Sequence, residues 1–157
     1  MYQTAFDVVD AGYQNLWFCS IGLIPMALGL WWWGLLKAAG QPAAIKPMLI
    51  FAFGIAWVVW SFAQTYGEYR TLAGIERKGD FHVVEGEVTA FFPEPYDRGK
   101  GQPKESFTVN GIQFEYSEGD ATAGFHHTTS HGGPIHDGLH VRIEYYNGQI
   151  LKLETLS

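Results

Sequence analysis

The chain has 157 residues, a formal net charge of −6 and one cysteine. No basic stripe is present to neutralise phosphates, which excludes general nucleic-acid binding. A lone thiol excludes an internal disulfide and leaves Cys19 as a small filler inside an apolar segment.

In chain order, Met1–Asn15 reads as a short tail or helical lead-in. It lacks Lys and Arg and carries Asp7 and Asp10, so it has no n-region of a signal peptide. Leu16–Leu36 then runs without a charged residue. At about 1.5 Å per residue it spans roughly 30 Å of hydrocarbon, which predicts a transmembrane helix over about 15–36, kinked at Pro25. Gly22, Gly29 and Gly34 offer close-approach surfaces for a neighbouring helix, and Trp31–Trp33 and Tyr13/Trp17 mark the two interfaces. Lys37–Lys46 is a short connection. The second uncharged run, Met48–Ala63, predicts a helix over about 47–64, with Pro47 in its first turn. Ala52 and Ala56 form a small-residue pair suited to packing on the glycines. So short a loop makes the two helices an antiparallel hairpin. Tyr66–Lys78 mixes apolar and charged residues and reads as a helical extension or interfacial connector, ended by Gly79–Asp80.

From Phe81 onward the period becomes two. Val84, Gly86, Val88 and Ala90 alternate with Glu85, Glu87 and Thr89, which predicts a long strand. A Pro/Gly loop, Pro93–Pro103, follows. Asn110–Gly111 signals a two-residue hairpin in which Phe107 faces Phe114 and Val109 faces Ile112. Asn147–Gly148 separates two further strands, Leu139–Tyr146 and Gln149–Leu156. A plain two-residue turn there would set Lys152 and Glu154 beside Ile143 and Val141. One extra residue pairs Ile143 with Leu153 and Tyr145 with Leu151, so a bulged three-residue turn is expected. The fold class is therefore a transmembrane helical hairpin with its connector over residues 1–80, followed by a soluble β domain over 81–157. That domain is a small antiparallel β-barrel or half-open β-sandwich of five to six strands.

Basic residues set orientation. Lys37 and Lys46 hug the short loop, while the N-terminal tail has none. Against the weaker pull of Arg70, Arg77 and Lys78, this places both termini outside the cytoplasm and the β domain in the periplasm.

The chemistry concentrates in Gly124–His140, where His126, His127, His131, His136 and His140 surround Gly132–Gly133–Pro134. Imidazoles bind zinc, copper or nickel, and His131, His136 and His140 are the candidate ligands of a metal-binding or metal-sensing module. Their spacing matches no metal signature, and His126 and His127 point to opposite faces of an extended chain. Ser130, His131 and Asp137 supply the residue types of a membrane-tethered hydrolase, without a glycine-flanked nucleophile elbow. Thr128, Thr129 and Ser130 are suited to bonding the backbone that turns before Gly132. The competing reading is a surface loop shaped by Gly132, Gly133 and Pro134. It would contact a partner through Phe125, His127, His131, Pro134 and His136, with Tyr96 from the Pro/Gly loop. Phe92, Tyr96 and Phe125 suit either partner anchors or lids of the core.

Thr65–Gly74 (TYGEYRTLAG), Val83–Val88 (VVEGEV), Phe114–Ser117 (FEYS) and Gly124–Ile143, around TTSHGGPI and DGLHVRI, resemble a group of small uncharacterised bacterial membrane proteins. Those proteins have two transmembrane helices and a C-terminal β domain. The resemblance covers mostly the C-terminal part. It implies a bacterial inner-membrane setting, with no activity and no functional residues to carry over.

These readings converge on a non-enzymatic, multi-pass inner-membrane protein. Its β module serves protein interaction or envelope assembly, needs no cofactor, and has the lipid bilayer and a protein partner or homo-oligomer as its contacts. The metal-binding module and the tethered hydrolase are the rival readings.

Overall fold

A computed structural model describes residues 1–42, 45–95 and 104–156. In chain order its elements are β1 (Tyr2–Asp7), α1 (Val8–Ala11), α2 (Leu16–Ser20), α3 (Leu23–Ala38), α4 (Ile45–Lys78), β2 (His82–Phe92), β3 (Glu105–Val109), β4 (Ile112–Tyr116), β5 (His140–Tyr146) and β6 (Gln149–Leu156). They fall into two compact units, Tyr13–Gly67 and Met1–Gly12 with Glu68–Ser157.

The first unit is the helical hairpin. Two helical segments, Val8–Ala38 and Ile45–Lys78, are long and apolar enough to cross a membrane, with 17% of each apolar window buried. Leu28, Leu30, Trp31, Phe53, Val59 and Trp60 are all more than half exposed. Apolar side chains this exposed suit hydrocarbon rather than water. The first span is broken rather than kinked. Pro25 sits in the first turn of α3, where its missing N–H costs no helical bond, and its ring opposes a helical carbonyl at Ile21. Tighter bonds bridge the break, from Gly22 N–H to the Cys19 carbonyl and from Ile24 N–H to the Ile21 carbonyl, each 3.2 Å. The uncharged stretch of α4, residues 47–64, is the spanning part. All 34 residues of α4 measure about 50 Å, more than a bilayer core of about 30 Å. The charged turns from Glu68 to Lys78 are therefore the helical extension, outside the hydrocarbon.

The hairpin packs through Gly22 and Gly29, as the spacing of small residues suggests, but the partner on α4 is Gly54. A Cβ on Gly54 would lie 2.5 Å from Met26 Cγ and 2.6 Å from the Gly22 carbonyl. One on Gly29 would lie 2.7 Å from the Pro47 carbonyl, whereas one on Gly34, also expected at a helix contact, would meet nothing within 4 Å. Ala52 and Ala56, expected at this seam, are exposed instead. On a 3.6-residue period they lie off the face that Gly54 and Phe51 share.

The second unit is one antiparallel sheet in the order β1-β6-β5-β2-β3-β4. It is open, so the half-open sandwich describes it and the closed barrel does not. The Asn110–Gly111 hairpin has the expected register, with Phe107 opposite Phe114 and Val109 opposite Ile112. The second hairpin keeps a two-residue turn and places its extra residue inside β6. Ile143 pairs with Leu153 as expected, but Tyr145 pairs with Ile150, and Leu151 is the bulge. The bulge lets Ile150 and Leu153 share one face and sends Leu151 to the other. β2 alternates as expected through Val88. At Ala90 the backbone turns left-handed, with φ of 51°, and the register shifts, so Phe91 rather than Ala90 turns inward.

The sequence pattern predicts a tail or helical lead-in at the N-terminus; Val8–Ala11 is helical, but the residues before it differ from that expectation. Residues Tyr2–Asp7 form an edge strand paired with β6. Asp7 then caps α1, its Oδ1 accepting from Val9 N–H at 2.9 Å and Asp10 N–H at 3.1 Å. The main core gathers Val84, Val88, Phe107, Phe114, Val141, Ile143 and Leu153 on one sheet face. On the other face Val8, Leu72 and Leu151 pack together, so α1 and the end of α4 cover the sheet. The compact β unit includes the N-terminus and the last turns of α4 together with the sheet.

Candidate functional site

Between β4 and β5 the chain makes its only long excursion among the described residues, and His126, His127, His131 and His136 lie there. Its conformation is set by three carboxylates that sequence reading passed over. Glu94, buried, accepts from Ser117 Oγ at 2.6 Å and from Glu118 N–H at 3.1 Å. Glu118 in turn accepts from Thr128 N–H at 2.9 Å and Thr128 Oγ1 at 3.3 Å, and it holds His127 Nδ1 at 3.3 Å. Glu105 has no exposed surface. It accepts from Tyr116 OH at 2.7 Å, Thr129 N–H at 2.9 Å and Thr129 Oγ1 at 3.2 Å. A buried carboxylate is tolerated only with such a set of donors.

Electrostatics follow the geometry. Burial works to raise the Glu118 carboxyl. The Thr128 amide, then the His127 and His131 imidazoles, outweigh it and hold the group below the ordinary carboxylate range. Burial, then the hydrogen bond and charge of Glu105, push the Tyr116 phenol far above its ordinary value, so it stays a donor.

The backbone between these anchors is equally constrained. Thr129–His131 forms a single 3-10 turn, and Gly132 leaves it at φ of 95°. Gly133 N–H donates to the Thr128 carbonyl at 2.8 Å, so close that a Cβ on Gly133 would overlap the His127 carbonyl oxygen. Thr129 Oγ1 also bonds the Ile135 carbonyl at 2.7 Å, and Ile135 is fully buried. Gly138 N–H reaches the Val88 carbonyl and returns the chain to β2. The expected shaping by Gly132 and Gly133 is present, as a braced structure.

The candidate residues separate accordingly. His127, His131 and His136 are exposed and Pro134 is half-buried, so these four share the loop surface. Phe125 is a core residue. It is 6% exposed and packs edge-on against Phe6 and Tyr116, with ring centroids 5.5 and 5.2 Å away. Of its two sequence readings, the lid of the core is the one the structure carries. Tyr96 lies outside the described residues.

His131, His136 and His140 hold different partners. His131 Nδ1 lies 3.0 Å from Thr128 Oγ1, His136 Nδ1 meets the Asp137 carbonyl at 3.0 Å, and His140 Nε2 is 4.0 Å from Glu85 on β2. Among the described residues no three of His, Cys, Asp and Glu are placed to hold a metal ion. Ser130 Oγ does approach His131 Nδ1, at 3.1 Å, and the Glu118 carboxylate, at 4.0 Å, faces that same nitrogen. A serine–histidine–acid relay needs nucleophile and acid on opposite ring nitrogens.

One signal in the sequence points to this bracing. With Phe107 and Val109 on the inner face of β3, Glu105 falls on that face too. An acidic residue at an inward position demands buried donors, and Tyr116 and Thr129 provide them. Comparison of the chain with protein families, curated proteins and solved structures yields no match.

Proposed function

We propose that this chain is a non-enzymatic, membrane-anchored binding module whose β unit presents the braced histidine loop to another protein. A pre-formed loop loses little conformational entropy on binding, so effort spent on holding a surface loop rigid suits recognition. The observation that carries this reading is the anchoring of the loop backbone by Glu118 and Glu105, which leaves His127, His131 and His136 outward. The setting we propose is a bacterial inner membrane with the β unit in the periplasm, supported by Lys37 and Lys46 beside the short connection.

Two experiments test this. A photoreactive side chain at His136, in the full-length protein in its native membrane, should give one discrete protein adduct. The same probe at exposed Thr89 should give none. Adducts of equal yield from both positions, or none from His136, would overturn the reading. For orientation, a reporter active only in the periplasm, fused after residue 157, should be active. Activity from a cytoplasmic reporter alone would reverse the placement.

A further inference from the structure

Strand β4 ends the sheet, and none of the described backbone groups bonds its outer edge. Asn110 and Gly111 both have positive φ, 48° and 82°, and they set Val109 opposite Ile112. In a two-residue hairpin the pair flanking the turn exchanges hydrogen bonds, and every second residue beyond it turns its backbone groups outward. The N–H and C=O of Gln113 and Glu115 therefore face away from β3, about 7 Å apart along the strand. A second extended chain is the partner that satisfies both sets at that spacing.

Space for such a chain exists. A cleft of about 360 Å³ lies along this edge, with Gln113, Glu115, Tyr116 and Ile150 in its lining and, among the described residues, the one cation there, Lys104, already paired with Asp120 at 3.0 Å. Its far wall is tied to β6, because Phe125 N–H donates to the Ile150 carbonyl at 3.0 Å. The cleft is thus the gap that one added strand would fill in an otherwise half-open sheet. The opposite edge, β1, is disrupted by a bulge at Ala5. β4 has neither bulge, proline nor lysine, the devices that normally block an edge.

We propose that β4 is an acceptor edge that takes an extended, lysine- or arginine-bearing segment of a partner protein as a seventh strand. This rests on the reading of the β unit as a protein-binding module and gives it a second surface with defined chemistry. Charge selects the occupant. Glu115 is exposed and without an ion pair among the described residues, so a cation directly across the new ladder complements it. A second copy of the chain would bring another acidic surface, at −6 per copy.

The probe is the labelled peptide Val-Thr-Val-Lys-Val-Thr-Val, titrated by fluorescence anisotropy onto the full chain in nanodiscs. Lysine sits on the face of Glu115, and the valines face the cleft. Binding should weaken at least about tenfold when alternate peptide amides are N-methylated, and likewise in Gln113→Pro, which removes one edge donor at a position where proline is tolerated. Replacing the peptide's lysine by glutamate should weaken binding, and Glu115→Lys should reverse that preference. No binding at millimolar peptide, or equal binding of the N-methylated peptide, would overturn the proposal. So would a dimer of the free chain that Gln113→Pro disperses, since a second copy would then occupy the edge. If the peptide fails while the His136 adduct forms, the acceptor edge falls and the binding reading stands.

Discussion

The two units of this protein are held together by opposite means. The hairpin, Tyr13–Gly67, works by subtraction: Gly22, Gly29 and Gly54 remove side chains so that backbones touch, and the apolar exterior is left for lipid. The β unit works by addition: Glu94, Glu105 and Glu118 are carried inside or half inside and surrounded by donors. Apolar surface gains nothing by leaving lipid, so the hairpin depends on close fit. In water the sheet's core forms readily by burial, and polar bracing then selects one loop conformation. Variants should respond according to which means they attack.

The largest effect is expected in the β unit. Glu105→Ala orphans the Tyr116 hydroxyl and the Thr129 amide and opens a void. It should cost about 3 kcal/mol, read as a fall in the thermal midpoint of the full chain. A change within a few tenths of a kcal/mol would mean that the donors find other acceptors.

Next comes the helix seam. Gly54→Leu overfills a contact already at van der Waals limits and should cost about 2 kcal/mol in detergent. Ala56→Leu, on an exposed face, should change almost nothing. Equal effects at the two positions would place the seam elsewhere.

Smaller still, Glu118→Gln should cost about 1 kcal/mol and alter the pH profile. Because Glu118 is held below its ordinary value, its contribution is complete above the unfolded-state value near 4.5 and is lost as pH falls through the lower folded-state value. The variant should lack that acid limb.

Glu76, in the charged turns of α4 outside the hydrocarbon, sharpens the contrast with the opposite sign. Burial first, then the facing Asp7 and Glu144 carboxylates, raise it to about 7, with Lys152 opposing. An acid raised in the folded state makes stability fall as pH climbs from about 4.5 to about 7. Glu76→Gln should flatten that slope and leave the chain more stable than the parent at pH 8. A parent profile flat across this window would contradict the burial of Glu76.

Local patterns made much of this architecture legible. Uncharged runs marked the spanning segments, and Asn110–Gly111 fixed its hairpin register residue by residue. The need to bury Ile143 and Leu153 together exposed the bulge in β6, though not its position, since a bulge at Leu151 and a longer turn satisfy the same pairing. β1 escaped notice because Tyr2–Asp7 is short and its register is set by β6, more than 140 residues away. The histidine loop was legible as a loop with glycine turns. Its bracing was not, because Glu94, Glu105 and Glu118 reach Ser117, Thr128 and Thr129 only after the sheet has curled. Phe125 shows the same limit: an aromatic beside histidines reads as a surface anchor until Phe6 and Tyr116 close over it.

The claim on which the functional reading turns is that the histidine loop is a pre-formed surface. Amide hydrogen exchange on the full chain in nanodiscs measures this directly. The amides of Glu118, Thr128, Thr129 and Gly133, each donated to a partner within the unit, should exchange as slowly as those of Phe107 and Ile143 in the strands. Exchange of these four at the rate of an unstructured peptide, with the strand amides still protected, would contradict the account.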